Sequence, residues 1–370
     1  MNLDFQLESD LASCIPKNFY TQLPQPLSTP KAIFTLYGRN ALHGISLQII
    51  KYWPQKREIL VPSYSCGDEI ESLIKAGFTS ITYPVHSNLE IDPHDLERCI
   101  TSKTSAILIT HYFGFPQSNT SQIKKLCEAN NLFLIEDCAQ ALGGKLNDQP
   151  LGTFGHASIF SLRKFLPIPH GGALLINSPE IPPPQFQPPS NQASSFDLFL
   201  YLGMLQNLFP PSTPISDIYS SVGASLPSQH GPRLSKEGGY KLSISNIAKF
   251  LVSRISFSDI AAVRRKRFLL LLELFNCYYP NLIIKSVLEK NVVPLNFPIL
   301  VYNSSKVADI GYQKGLKHIQ PFWSYLHKYV KWNKYKDARN LKSKILAISL
   351  NHDFSSSQLD TFLEILSHSK

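Results

Sequence analysis

A chain of 370 residues, 43% hydrophobic and 17% charged, can bury a sizeable core without disulfides or metals, which excludes a disordered or fibrous protein. No apolar run reaches the roughly 18 residues of a membrane span. The opening MNLDFQLESDLAS carries acidic residues where a signal peptide is basic, so the expectation is a cytoplasmic protein without membrane contact. The net charge of +9 is not gathered in an aromatic-rich patch, and no nucleic-acid-binding motif accompanies it. Its densest clusters, Arg264 to Arg267 and the lysines between Lys328 and Lys344, read as solvated helix faces, or else as attraction for an anionic small molecule. The six cysteines, Cys14, Cys66, Cys99, Cys127, Cys138 and Cys277, have no metal-ligand spacing, so no metal is expected.

Residues 1–30 are polar and Pro-rich around Leu23-Pro24-Gln25-Pro26 and read as an extended arm. From Ala32 a short apolar run leads to Tyr37-Gly38-Arg39-Asn40, and an amphipathic helix follows from Ala41 to Trp53. A glycine turn opening a helix points free N–H groups and the positive helix end at an anion. Strand Glu58 to Pro62 then runs into Ser63-Tyr64-Ser65-Cys66-Gly67 and a helix from Asp68 to Ala76, which Gly77 ends. Further strands are expected at Ser80 to Val85, Ser105 to Thr110 and Leu132 to Ile135, with helices at Leu96 to Ile100 and Gln122 to Asn130 between them. This alternation predicts an α/β fold with a mainly parallel sheet covered on both faces, whose ligands gather beyond the carboxyl ends of the strands. Cys66, His111, Asp137 and Ser161 each follow a predicted strand and so meet at one rim.

Residues 178–239 are rich in Pro and Ser and read as an irregular insertion with one helix, Phe196 to Phe209. Helical periodicity returns at Ser243 to Phe257 and Asp259 to Tyr278. Strand-like Phe297 to Tyr302, helix-like Ser305 to Gln313, strand-like Ile345 to Leu350 and a final helix Ser355 to Ser367 make a smaller α+β unit. The expected organisation is an arm over 1–30, a large domain over 31–257 and a small C-terminal domain over 258–370.

The chemistry concentrates between Leu132 and Asn177. There LFLIE delivers Asp137 and Gln140, and ASIFS delivers Ser161 and Lys164. A carboxylate at the end of a buried strand, followed within about thirty residues by a lysine in a Ser-x-x-Lys loop, is what a pyridoxal 5'-phosphate site asks of a protein. The pyridine nitrogen stays protonated only against a shielded carboxylate, a role for Asp137, while Glu136 points to the opposite face. The aldehyde needs a lysine whose neutral amine is reachable. Lys164 is flanked by apolar residues, and Arg163 adds a cation that favours the neutral amine or binds an anion. Ser161 and the Gly38-Arg39-Asn40 helix start supply phosphate donors, and Gly171-Gly172 lets the chain pass close to the cofactor.

The runs VPSYSCGDEIESLIKAGF, HYFGFPQ, LIEDCAQALGG and FSLRK followed by HGGALLIN resemble the DegT/DnrJ/EryC1/StrS family of pyridoxal-phosphate aminotransferases. FWSYLHKYV and ILAISLNHDFSSSQLDTFLEIL resemble the family's C-terminal part more loosely. The resemblance implies a fold-type-I homodimer that moves an amino group from glutamate or glutamine to a keto-sugar, generally nucleotide-linked. It implies that Asp137 pairs with the pyridine nitrogen, that Gln140 lies near the phenolic oxygen, that Gly38, Arg39 and Ser161 contact the phosphate, and that Lys164 holds the cofactor covalently. Cys66 stands where the family has a ring-stacking aromatic, and His111 joins the cofactor side. Lys164 follows Ser161 by three residues where the family has five. The Asn-x-Arg-Met stretch that reaches a partner's phosphate is absent near Tyr240 to Ile247, with Lys241 as the substitute. A related sugar dehydratase, in which histidine replaces the lysine, and a non-catalytic binding or regulatory protein are the alternatives.

Overall fold

The computed structural model describes residues 13–189, 239–328 and 330–368. The first twelve residues of the expected arm, and the expected helix Phe196 to Phe209, lie outside the described residues. In chain order the elements that frame the site begin with β1 (Ile33–Thr35), α1 (Gly38–Tyr52), β2 (Glu58–Pro62), α2 (Asp68–Ala76), β3 (Thr79–Tyr83), the short α3 (Pro93–Glu97), β4 (Thr104–Thr110), α4 (Thr120–Ala129) and β5 (Phe133–Asp137). A two-stranded hairpin, β6 (Lys145–Leu146) and β7 (Gln149–Pro150), precedes β8 (Ala157–Ser161) and β9 (Gly172–Ile176). The rest comprises α5 (Asn246–Val252), the long α6 (Phe257–Tyr278), β10 (Asn296–Leu300), α7 (Ser304–Gln313), β11 (Ile319–Pro321), α8 (Lys336–Lys344), β12 (Ile345–Ser349) and α9 (Ser356–Ser367).

Seven strands form the main sheet in the order β1-β9-β8-β5-β4-β2-β3. From β3 to β8 the neighbours are parallel; β9 runs antiparallel to both β8 and β1. The alternation of side chains divides each strand between two cores. Ile59, Val61, Ala106, Leu108, Phe133 and Ile135 pack with Ile45 and Ile49 of α1 and with Ile70 and Leu73 of α2. Leu60, Ile107, Ile109 and Leu134 face Ile123 of α4, and Phe268, Leu271 and Phe275 of α6. A third cluster takes in Leu23 and Leu27, so this part of the expected arm is packed into the body, because its apolar side chains are needed to cover Phe160 and Ala173.

The second sheet, β10-β12-β11, is antiparallel throughout. Its strand β11 went unanticipated, since three residues ending in proline carry almost no periodic signal. Helix α2 fits its expected bounds because glycines in the left-handed region flank it: Gly67 at φ 94° and Gly77 at φ 105°. Helix α9 opens on a capping box in which Ser355 Oγ accepts from the Gln358 N–H, and Gln358 returns its side chain to the Ser355 N–H. No helix among the described residues is long and apolar enough to cross a membrane.

Candidate active site

A pocket opens beyond the carboxyl ends of β5 and β8. Its lining includes Tyr37, Gly38 and Arg39 from the start of α1, Cys66, Asp68 and Glu69 from the start of α2, Asp137, Ser161, Arg163, Lys164, and Trp323 from the second sheet's side. Parallel strands carry the chain to this rim, and the antiparallel return of β9 brings the first turn of α1 over it.

Asp137 ends β5 and is buried. One oxygen accepts from the Ala139 N–H at 2.9 Å, while the other has no donor among the described residues. Burial and the nearby Glu69 push its pKa up to about 6, against the pull of the Lys164 ammonium. Its neighbour Glu136 lies on the other face, as alternation requires. There it accepts from Phe154 N–H at 2.8 Å, Gly155 N–H at 2.7 Å and Gly152 N–H at 2.9 Å, and from His111 Nε2 at 3.1 Å. His111 is expected on the cofactor side, but it lines no part of the pocket. The Gln117 N–H donates to its Nδ1 at 3.0 Å, so Nε2 carries the proton that Glu136 accepts, and the ring is a structural strut. The same saturation argues against a metal among His111, Glu136 and Cys138, although their ligand atoms cluster.

Lys164 closes a 3-10 turn, Leu162–Lys164, directly after β8, and its Nζ sits 5.7 Å from the centre of the Trp323 ring. Ser161 and Arg163 share the pocket. Helix α1 begins at Gly38 with no side-chain cap, leaving its first N–H groups for a ligand. Two guanidiniums lie over the Tyr37 ring, with the Cζ of Arg39 at 4.7 Å and that of Arg163 at 5.6 Å from its centre. Gly172 has a different task from the one expected: a Cβ there would stand 2.3 Å from the Tyr37 carbonyl carbon, so this glycine lets β9 pass beneath the start of α1.

Cys66 lines the pocket, and its thiol donates to Glu69 Oε2 at 2.7 Å while its N–H donates to Oε1 at 3.0 Å. Burial and Glu69 push the thiol pKa well up, so it is a protonated donor. Gln140 is fully buried outside the pocket lining. Its Oε1 accepts from the Phe113 N–H at 2.9 Å, and its Nε2 has no partner among the described residues. Lys241 also stays out of the lining: Gly239 accepts from Asn40 Nδ2, and Tyr240 packs on His43 at 4.6 Å, which folds this stretch onto the outside of α1.

Three contributors were missed in the sequence. Trp323 supplies the pocket's indole wall, in contact with Phe322, Tyr64 and Tyr112. Its signal was the run FWSYLHKYV, whose function no spacing rule exposes. Lys342 is buried and ties the Trp323 and Ser65 carbonyls together. The arginine cluster of α6 is no solvated face. Arg264 is buried, Arg265 donates to the Glu289 carbonyl, and Arg267 makes a two-pronged contact with Asp353 at 2.7 Å on both oxygens. Backbone carbonyls and one aspartate at the joint with the second sheet hold these cations, and a count of charges in sequence does not reveal them.

Residues 16–183 match the model of the DegT/DnrJ/EryC1/StrS aminotransferase family. The GDP-perosamine synthase of Vibrio cholerae is 28% identical over 163 residues, 43% of this chain and 44% of that protein. This chain therefore spans less than half of that relative's length. An aminotransferase of the same family from Brucella abortus superposes with a TM-score of 0.66 at 17% identity over 99% of this chain and 95% of that one. The E. coli GDP-4-keto-6-deoxy-D-mannose-3-dehydratase with bound hydrated PLP gives 0.64 at 18% identity, over 99% of this chain and 97% of that one. These likenesses fix the fold as that of fold-type-I pyridoxal-phosphate enzymes.

Proposed function

We propose, from the match of residues 16–183 to the DegT/DnrJ/EryC1/StrS aminotransferase family model, that this chain is a pyridoxal-phosphate-dependent transaminase. It moves an amino group from glutamate or glutamine to a keto-sugar carried on a nucleotide, and works as a homodimer. One observation carries the reading: Asp137 and Lys164 arrive from separate strands at one pocket, beside Ser161 and the uncapped start of α1.

The residues present fit the cofactor. Asp137 lines the pocket with one oxygen that accepts from no donor among the described residues, which suits a protonated ring nitrogen. Ser161 and the first N–H groups of α1 suit a phosphate. Bound there, pyridoxal phosphate would supply an aldehyde that exchanges oxygen for nitrogen and a ring that accepts electrons from the donor's Cα. Asp137 would keep the ring nitrogen charged. The Lys164 amine is the pocket's base and acid for the proton at that carbon. Glu69, Cys66 and Trp323 wall off water on the side facing the second sheet.

The test is absorbance. The purified chain incubated with pyridoxal phosphate is expected to show a near-ultraviolet or visible band that vanishes on borohydride reduction and is missing in Lys164→Ala. Glutamate or glutamine should bleach it. A wild-type chain without the band overturns the enzymatic reading in favour of a binding or regulatory protein. A band that neither donor bleaches overturns the choice of donor.

A further inference from the structure

Resting on that transaminase reading, we propose that Arg264 is the positioning residue for Lys164, a guanidinium that ties the lysine's turn to the second sheet. The need for it lies in the sequence after the lysine. Lys164 is followed by Phe165, Leu166 and Pro167, and a proline at the third place has no N–H with which to continue the turn. The next N–H, that of Ile168, donates to Leu166 instead. The Lys164 carbonyl therefore has no backbone donor among the described residues, and Arg264 Nη2 fills the gap at 3.3 Å.

The same guanidinium donates from Nη1 to the Leu295 carbonyl at 2.7 Å, just before β10, and from Nη2 to Asn351 Oδ1, just after β12. Its Cζ lies 5.1 Å from the centre of the Phe165 ring. One rigid fork thus joins three segments: the turn that carries Lys164, the entry to β10 and the exit from β12, which lie side by side where Asn296 pairs with Ser349. Arg264 is 2% exposed and meets no carboxylate among the described residues, so three carbonyl-type dipoles hold the charge, an arrangement that a flexible ammonium does not reproduce. Arg264 touches no pocket lining except through Lys164, which separates it from residues that would contact substrate.

A purely structural staple would lower thermal stability and leave Lys164 unaltered in the folded protein. Positioning predicts more. Full-length wild type, Arg264→Lys, Arg264→Met and Asn351→Ala would be compared at a temperature where each is folded by circular dichroism. Pyridoxal phosphate and cyanoborohydride, which reduces an imine but spares the free aldehyde, are added together, and the mass gain on the Lys164 peptide is followed in time. Capture is expected to slow about tenfold or more in Arg264→Met, with partial recovery in Arg264→Lys and a smaller slowing in Asn351→Ala. Amide exchange of Phe165 and Leu166 in the cofactor-free chain should rise in the same order, while that of β4 and β5 stays unchanged. Wild-type capture rates and wild-type exchange in the variants overturn the proposal. If Arg264→Met does not fold, the lysine and Asn351 variants decide by the same criteria. If wild type itself captures nothing, the transaminase reading falls and the exchange series alone decides this one.

Discussion

Lys342 Nζ donates to the carbonyl oxygen of Trp323 at 2.8 Å. The same ammonium reaches the Ser65 carbonyl at 2.5 Å, and lies 5.5 Å from the centre of the Tyr64 ring and 5.2 Å from that of Trp332. One buried cation therefore holds the indole wall of the pocket against the loop that carries Cys66.

Lys342→Met should loosen that wall. Two buried carbonyls lose their donor, a loss of about 1–3 kcal/mol, offset in part by removing a buried charge. Burial draws the Lys342 pKa down to about 8, from an ordinary 10.5. Between those values the unfolded chain binds the more protons, so this group's contribution to stability grows as pH rises from 8 to 10.5. Denaturant titrations at about pH 7.5 and about pH 10 should show wild type gaining relative to Lys342→Met. Equal changes in both proteins would refute the assignment.

Asp137→Asn should raise the stability of the cofactor-free chain at about pH 8 while abolishing turnover. The folded carboxyl titrates near 6 and the unfolded one near 3.8, so the native state holds the extra proton between them. Its stabilising contribution is complete below 3.8 and is lost as pH rises through 6. The substitution keeps the oxygen that accepts from Ala139 and removes the buried charge, a gain of up to about 3 kcal/mol at about pH 8 that disappears near about pH 3.5. Thermal melts at the two pH values check it, and destabilisation at the higher one would contradict it.

Glu136→Gln should be costly without touching the pocket. Four donors converge on the carboxylate, two on each oxygen, and an amide turns a donor of its own toward two of them. A loss of about 3–5 kcal/mol is expected. Folded protein at low temperature should still take up pyridoxal phosphate, and a selective loss of uptake at unchanged stability would return His111 to the site.

Gly172→Ala should fail by sterics. The added methyl meets the Tyr37 backbone at 2.3–2.5 Å, and backbone cannot swing aside as a side chain does. Overpacking of this kind costs about 1–3 kcal/mol or more, and the displaced helix start should weaken phosphate competition for the pocket. A variant with wild-type melting and phosphate affinity would disprove the close approach.

The main sheet was legible because its strands announce themselves twice, in apolar runs and in the turn and helix-start residues after them. β2 and α2 keep their expected bounds, and Glu136 and Asp137 divide between faces as a period of two demands. The pocket was half legible. Asp137, Ser161, Lys164, Gly38 and Cys66 all sit at strand or helix ends, where sequence order predicts a rim. His111 was misplaced because a residue just past a strand can turn either way, and only the Gln117 N–H decided it. Arg264 and Lys342 were unreadable for a related reason: their partners are backbone carbonyls, which every sequence offers everywhere.

The pocket's walls run from Tyr37 to Trp323, so its pieces are made early and late in translation. A nascent chain emerging from the ribosome makes the strands that carry Asp137 and Lys164 well before the indole that roofs them. Ligand taken up only once the indole is in place would then favour the fully folded molecule over its unfolded state by mass action.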